Sequence, residues 1–196
     1  MGCDIHTYVE IRDKHGRWQA VEPDEPGRRT WAWDFESRSY FCWAMLADVR
    51  NYDDIRPIAE ARGLPDDLSY EVKEAAKRAE DDAHSHSWFT LQELLAFDFD
   101  ALVTLKGKVT LEEFKQYLKF GKPESVSGSG GHEISNAGMQ RLALEGQSPD
   151  DRKAYCTKIA WPETYRSNCR PLLAFLERLQ KEGPPERVRL VFWFDN

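Results

Sequence analysis

The sequence predicts an α+β protein in which a mixed sheet includes the N- and C-terminal strands and is packed with helices. Three observations predict this class. The first residues alternate between polar and apolar side chains, the last residues form a continuous apolar run, and the segments between them carry helical spacing with helix caps. The length of 196 residues, with 41% hydrophobic and 12% aromatic residues, suits a single domain over residues 1–196.

The N-terminal stretch has the period of a strand with one face in the core. Ile5, Val9 and Ile11 would point to one side of the strand. The opposite side carries polar or polar-tipped residues: Asp4, His6, Tyr8 and Glu10. A turn at 13–16 and the apolar pattern of 17–21 then indicate the returning strand of a hairpin.

The closing run VRLVFWF, residues 188–194, is typical of a central strand that is buried on both faces. We expect this strand and the N-terminal strand to be neighbours. Residues 155–161 also alternate, and we expect them to form a further strand of the same sheet.

Helices are predicted from periodicity and from capping residues. They are expected over 37–50, from the cap Ser69 to about Asp82, and over 91–97, 111–120 and 171–180. Thr90 with Glu93 and Thr110 with Glu113 have the spacing of capping boxes. Irregular or flexible segments are expected near 22–36, which is rich in Pro and Gly, and near 121–135, which contains SVSGSGG.

Composition excludes several classes of partner. The formal net charge of −7 disfavours long nucleic acid, because an acidic protein repels the phosphate backbone. No segment approaches 18 consecutive apolar residues, so we expect no membrane partner. The four cysteines form no CxxC pair, which argues against a closed zinc ribbon. The start shows no basic flank before an apolar run, so we expect no signal peptide and reduced thiols in a cytoplasm.

The stretch DDAHSHSWFT, residues 81–90, holds two of the chain's five histidines. His84 and His86 would share a face if 83–87 is extended, as Asp4 and His6 do on their strand. Asp195 would approach Asp4 or His6 if the terminal strands pair. His with carboxylate suits Zn, Mn or Fe(II), and the candidate metal ligands are therefore Asp4, His6, His84, His86 and Asp195. Alternatively, the HxH pair hydrogen-bonds loop backbone and Asp4 caps or pairs locally.

A second candidate site is aromatic and basic. Arg pairs with phosphate, and Trp or Tyr stacks on a base, so such a cluster suits one nucleotide. The candidate ligand-binding residues are Arg28, Arg29, Trp31, Arg38, Tyr40 and Trp88. In the alternative interpretation, Tyr40 and Trp43 belong to a helix core and the arginines are solvated.

Several stretches together resemble one family. They are MGCDIH at the start, LADVRN at 46–51, GLPDDLS at 63–69, HSHSW at 84–88 and VFWFDN at the end. In this order, and over nearly the whole chain, they resemble a family of uncharacterised bacteriophage and prophage proteins. The resemblance implies an accessory protein made in the host bacterial cytoplasm, and it supplies no catalytic residue.

Three functions are consistent with these residues. The first is a phage accessory protein whose polar and aromatic pocket binds a small nucleotide-like ligand or a host protein and acts against host defence. The second is a metal-dependent hydrolase of a phosphate ester or phosphodiester. The third is a structural or interaction protein without a small-molecule site. We favour binding, because no feature of the sequence requires turnover; the oligomeric state is not predicted.

Overall fold

The computed structural model describes residues 3–23, 32–33, 39–79, 81–145 and 154–195. Its strands are β1 (Asp4–Arg12), β2 (Trp18–Ala20), β3 (Ala32–Trp33), β4 (His84–Thr90), β5 (Leu102–Thr110), β6 (His132–Glu133), β7 (Tyr155–Thr164) and β8 (Val188–Asp195). Its helices are α1 (Tyr40–Ala47), α2 (Tyr70–Arg78), α3 (Leu91–Ala96), α4 (Leu111–Phe120), α5 (Asn136–Glu145), α6 (Tyr165–Asn168) and α7 (Arg170–Leu179). The α+β class is confirmed.

The chain divides into two compact units, one formed by 1–100 with 165–196 and the other by 101–164. The prediction of one domain over residues 1–196 stays a prediction, because the division into two compact units does not show whether each unit folds independently. Most of the predicted irregular segment 22–36 lies outside the described residues. Residues 121–135 include a 3-10 turn at 128–130 and strand β6.

The sheet of the first unit has the order β2-β1-β8-β4, and β3 also pairs with β1. The two terminal strands are antiparallel neighbours, as predicted, with His6 opposite Trp193 and Asp4 opposite Asp195. Strand β8 is buried over its whole length except Asp195. This confirms that the closing apolar run is a central strand.

Helices cover both faces of this central strand. On one face, α2 packs its buried Val72, Ala75 and Ala76 against a cluster that includes Tyr8 and Trp193. On the other face, Trp43 of α1 meets Phe194 edge to face, with 5.4 Å between ring centroids. The polar side of β1 is therefore covered by α2 over its middle residues, and even Glu10 is buried.

Arg189 is the second residue of the apolar strand β8 and forms a buried ion pair. Its Nε donates to Glu10 Oε2 at 2.6 Å, and its Nη1 donates to Asp67 Oδ1 at 2.7 Å. The guanidinium carbon lies 4.0 Å from the ring centroid of Trp18. Glu10 also accepts from the backbone N–H of Ser69 at 2.7 Å, so this ion pair holds the start of α2 on the sheet.

The second unit contains a separate sheet of order β5-β7-β6. Strand β7 pairs antiparallel with β5 and parallel with β6. Helices α4 and α5 supply Phe114 and Met139 to its core beside Ile159 and Trp161. The prediction that 155–161 forms a strand is confirmed, but the prediction that it joins the terminal strands is wrong, because its hydrogen-bond partners are within 102–133.

The predicted caps form at two helices but not at Ser69, which precedes α2 without a side-chain cap hydrogen bond. Both capping boxes form: Thr90 with Glu93 begins α3, and Thr110 with Glu113 begins α4. Gly121 ends α4 in the left-handed conformation, at φ 76°. Other ends differ by a few residues, and α2 stops at Arg78, before the acidic residues 81–82.

Candidate functional site

The ends of the two terminal strands bring three predicted site residues together. His6 Nε2 and Asp195 Oδ2 are 2.8 Å apart, and the backbone N–H of Asp4 donates to Asp195 Oδ1 at 3.2 Å. The hydrogen bond from His6 lowers the pKa of Asp195, although partial burial opposes this effect. The expectation that Asp195 approaches Asp4 or His6 is confirmed, through the His6 side chain and the Asp4 backbone.

The HSHSW stretch contains a β-bulge. His84 pairs with Phe194 and Ser87 with Phe192, so three steps along β4 match two along β8. The extra residue is accommodated at Ser85, whose φ is 53°. The condition that 83–87 is extended therefore does not hold.

The bulge sends the two histidines to different rings of β8. The His84 ring stacks on Phe194, with centroids 6.0 Å apart, while His86 lies 5.8 Å from Trp193. Phe194 and Trp193 are consecutive and point to opposite faces of the sheet. The expectation that His84 and His86 share a face is wrong for this reason.

His6 and His86 lie on the two strands that flank Trp193, because β1 and β4 both pair with β8. Adjacent strands are about 4.8 Å apart, so the two backbones are separated by about 10 Å with an indole ring between them. Over the described residues, no three His, Cys, Asp or Glu side chains are arranged to hold a metal ion. Metal binding at these residues stays a prediction, and the described side chains do not form a ligand set in advance.

A cavity of about 490 Å³ lies beside His86, between α2 and the segment before it. Its lining residues are Leu64, Pro65, Asp66, Leu68, Lys73, Ala76, Lys77 and His86. On α2, positions 73, 76 and 77 share one helix face, which places the two lysines around the buried Ala76. The cavity therefore has an apolar floor and a rim with charges of both signs.

Backbone contacts to β4 hold the outer wall of this cavity. The N–H of Arg62 donates to Ser87 Oγ at 3.2 Å, and the N–H of Gly63 donates to His86 O at 3.0 Å. Gly63 adopts φ +71°, which favours glycine. The Arg62 guanidinium pairs with Glu93 and lies over the Trp88 ring, so the start of this wall is fixed to β4 and α3.

His86 is half-buried, and its environment favours the neutral ring. Burial lowers the pKa of His86, and the nearby His84 lowers it further. Within the described residues, the His86 ring lies beside the Trp193 ring and its nitrogens form no hydrogen bond. A neutral imidazole at neutral pH carries one donor and one acceptor, and both are available to a bound molecule.

Lys73 and Lys77 supply the positive charge of the cavity. Lys77 Nζ contacts Glu74 Oε1 at 2.8 Å on the exposed surface of α2. The sequence predicted a helix here, but neither lysine was among the predicted site residues. The two lysines are four residues apart and lie on the same helix face as the buried Ala76. This spacing is the sequence feature that indicates that they line one cavity wall.

The predicted aromatic and basic cluster is only partly described. Arg28, Arg29, Trp31 and Arg38 lie outside the described residues. Tyr40 packs at 5.2 Å from the fully buried Trp43, which is a core residue as the alternative interpretation held. Trp88 is half-buried beside Arg62 and Arg189. Neither Tyr40 nor Trp88 lines the cavity at His86.

Comparisons with known proteins add no assignment to this geometry. No family model, curated protein or solved structure matches the chain. Among the described helices, none has the length and apolar character needed to cross a bilayer.

Proposed function

We propose that this protein binds a small, anionic, nucleotide-like molecule in the cavity formed by α2, the segment 64–68 and His86. The observation that carries the proposal is a half-buried histidine, without a hydrogen-bond partner among the described residues, facing the same cavity as two lysines. The volume of about 490 Å³ is typical of small-molecule sites.

The lining suggests where each part of such a ligand would lie. Lys73 and Lys77 supply ammonium donors that suit a phosphate or carboxylate. Asp66 accepts hydrogen bonds from amino or hydroxyl groups, and neutral His86 both donates and accepts. The apolar floor suits the face of a planar ring system. Together these groups favour a ligand with one anionic end and one planar end.

The charge of the chain favours a small ligand over a polymer. A net charge of −7 opposes the approach of a long polyanion, whereas two local lysines are enough for a single phosphate group. The resemblance to phage and prophage proteins supports the wider setting, in which such binding serves the phage against its host. A host protein as the partner is an outcome that the experiment below can reveal.

The proposal is tested by ligand-induced stabilisation. Wild-type protein is mixed with each of the four ribonucleoside 5′-monophosphates, and binding is followed by native mass spectrometry and thermal unfolding. We compare Lys73→Ala/Lys77→Ala with Lys115→Ala/Lys119→Ala on α4. The control also removes two lysines four residues apart, one of them paired with a glutamate three residues away. We expect binding by wild type and control, and a loss of at least about tenfold in affinity for the first variant.

His86→Gln tests the histidine separately, with the exposed His132→Gln as its control. We expect weaker binding only for the cavity variant. Binding that is equal in all variants, or no bound nucleotide at all, overturns the proposal. A co-purifying host protein in the native spectra, without a nucleotide, would instead favour the protein-binding function.

A metal-dependent hydrolase is the second candidate, and the meeting of His6, Asp195 and Asp4 at paired strand ends favours it. Histidine and carboxylate ligands would suit Zn, Mn or Fe(II) there. Elemental mass spectrometry on protein purified without an affinity tag tests it. Near-stoichiometric metal that is lost in His6→Ala supports the hydrolase, and metal-free wild type removes it.

A further inference from the structure

Two buried thiols of the first unit lie against each other. Cys42 Sγ and Cys169 Sγ are 3.5 Å apart, and neither residue is exposed to solvent. Cys42 lies in the first turn of α1, and Cys169 immediately precedes α7. They are 127 positions apart in sequence, so only the tertiary structure brings them together.

We propose that Cys42 and Cys169 form an intramolecular disulfide when the protein meets a peroxide, which makes this pair an oxidative modification site. A disulfide requires about 2.0 Å between the sulfur atoms, so a relative movement of about 1.5 Å, shared by two side chains, closes the bond. The pair lies within one compact unit, and the movement needs no rearrangement of the second unit.

The surroundings distinguish the two sulfurs. The hydrogen bond between the two sulfurs lets one thiol stabilise the thiolate of the other, and this contact lowers the pKa of Cys42 although burial opposes it. Ser39 adds a further hydrogen bond that lowers the pKa of Cys42, whose backbone N–H lies at the positive end of α1. Cys42 is therefore the attacking thiolate, and Cys169 is the resolving thiol.

The reaction balances with one molecule of hydrogen peroxide. The Cys42 thiolate attacks one peroxide oxygen, the O–O bond breaks, and the departing hydroxide takes up the thiol proton as water. Cys42 is then a sulfenic acid. Cys169 attacks the Cys42 sulfur, the S–O bond breaks, and the second hydroxide leaves as water with the Cys169 proton. Two thiols are oxidised by two electrons, and the peroxide is reduced to two waters.

The other two cysteines provide internal controls. Cys3 and Cys156 are also buried, but neither contacts a second thiol: Cys3 bonds to the Asp4 carbonyl and to Arg50, and Cys156 bonds to the Gly131 carbonyl. A chain that oxidises unselectively would involve them as readily as the close pair.

The test treats native wild-type protein with hydrogen peroxide and maps its peptides without reduction. We expect the loss of two hydrogen atoms in mass, a single cross-linked peptide joining Cys42 to Cys169, and a rise in Tm of about 5–10 °C that dithiothreitol reverses. Cys156→Ser should retain the cross-link and Cys169→Ser should lose it. Cross-links that involve Cys3 or Cys156, or oxidation that stops at sulfinic acid without a cross-link, overturn the proposal. The wild-type map decides even if a variant does not fold.

Discussion

Arg189 of β8 and Glu10 of β1 face each other across neighbouring strands and form an ion pair with 2.6 Å between Nε and Oε2. Both side chains are buried, at 2% and 0% exposure. A charged pair removed from water is held only if each charge keeps its partner and its hydrogen bonds. Asp67 and the backbone of Ser69 complete those bonds and attach the start of α2 to the sheet.

Glu10→Gln should lower the free energy of unfolding by about 3 kcal/mol, because it removes one member of a buried ion pair and leaves the other. Urea denaturation measures the change. Asp100→Asn is the matched control: it removes the partner of Arg166, in a pair that is 54% and 68% exposed, and should cost far less because solvent screens the pair. Equal losses in the two variants would contradict the importance of burial here.

Glu113 should make the second unit sensitive to acid. Burial raises the pKa of this carboxyl, but hydrogen bonds from Thr110, Ser125 and Ser127 outweigh it and lower the pKa from 4.5 to about 2. A lowered carboxyl pKa contributes stability above the unfolded pKa, and that stability is lost as the pH falls from about 4.5 through about 2. The contribution at neutral pH is about 3 kcal/mol.

Glu113→Gln should therefore destabilise the protein at pH 7 and reduce its loss of stability on acidification. Urea unfolding across the acid range, with amide hydrogen exchange of α4, provides the measurement. Glu112→Gln removes the same charge from the exposed neighbouring position, and should leave the acid sensitivity as in wild type. If both variants behave alike, the hydrogen bonds to Glu113 do not cause the effect.

Gly128→Ala should destabilise the protein by about 1–3 kcal/mol through overpacking. A Cβ at this position would lie 2.7 Å from the backbone oxygen of Lys108, which cannot move as a side chain can. Gly130→Ala is the control in the same turn, since nothing lies within 4 Å of its added Cβ. Thermal unfolding of the two variants should differ by several degrees, and identical Tm values would show that the turn is loosely packed.

Asp195→Asn should lower the stability at neutral pH by less than about 1 kcal/mol, because the His6–Asp195 pair is about one-third exposed. The pKa of Asp195 is lowered by its hydrogen bond with His6, so the contribution is present above the usual carboxyl pKa. It disappears as the pH falls through the lowered pKa. Chemical denaturation should show a smaller difference from wild type at pH 2 than at pH 7, while the exposed Asp81→Asn should match wild type at both.

Local chemistry made several elements predictable. The capping boxes at Thr90 and Thr110 require only residues three apart, and both helices begin where the sequence places them. The pairing of the terminal strands was also predictable, because a doubly buried strand needs neighbours on both edges and the alternating N-terminal strand was available. The approach of Asp195 to His6 follows from that pairing.

The serine- and glycine-rich segment shows where composition misleads. SVSGSGG is typical of a flexible loop, yet the hydroxyls of Ser125 and Ser127 both donate to Glu113 Oε1, at 2.7 and 2.8 Å. Gly128 is buried against the backbone of β5. The contacts that order the segment come from a helix and a strand elsewhere in the chain, and composition carries no information about them. Whether the segment moves stays a prediction.

The sequence alone determined the α+β class, the capped helices and the central terminal strand, since each depends on residues within one turn or one strand. Only the tertiary structure decided which sheet takes β7, which faces His84 and His86 occupy, and which charges meet Arg189. The extra residue at Ser85 places His84 and His86 on opposite faces of the sheet. The pairing of β7 with β5 and β6 places β7 in a sheet separate from that of the terminal strands. The cavity beside His86 depends on the first of these, because its walls come from a loop, a helix and a strand that meet only in the folded chain.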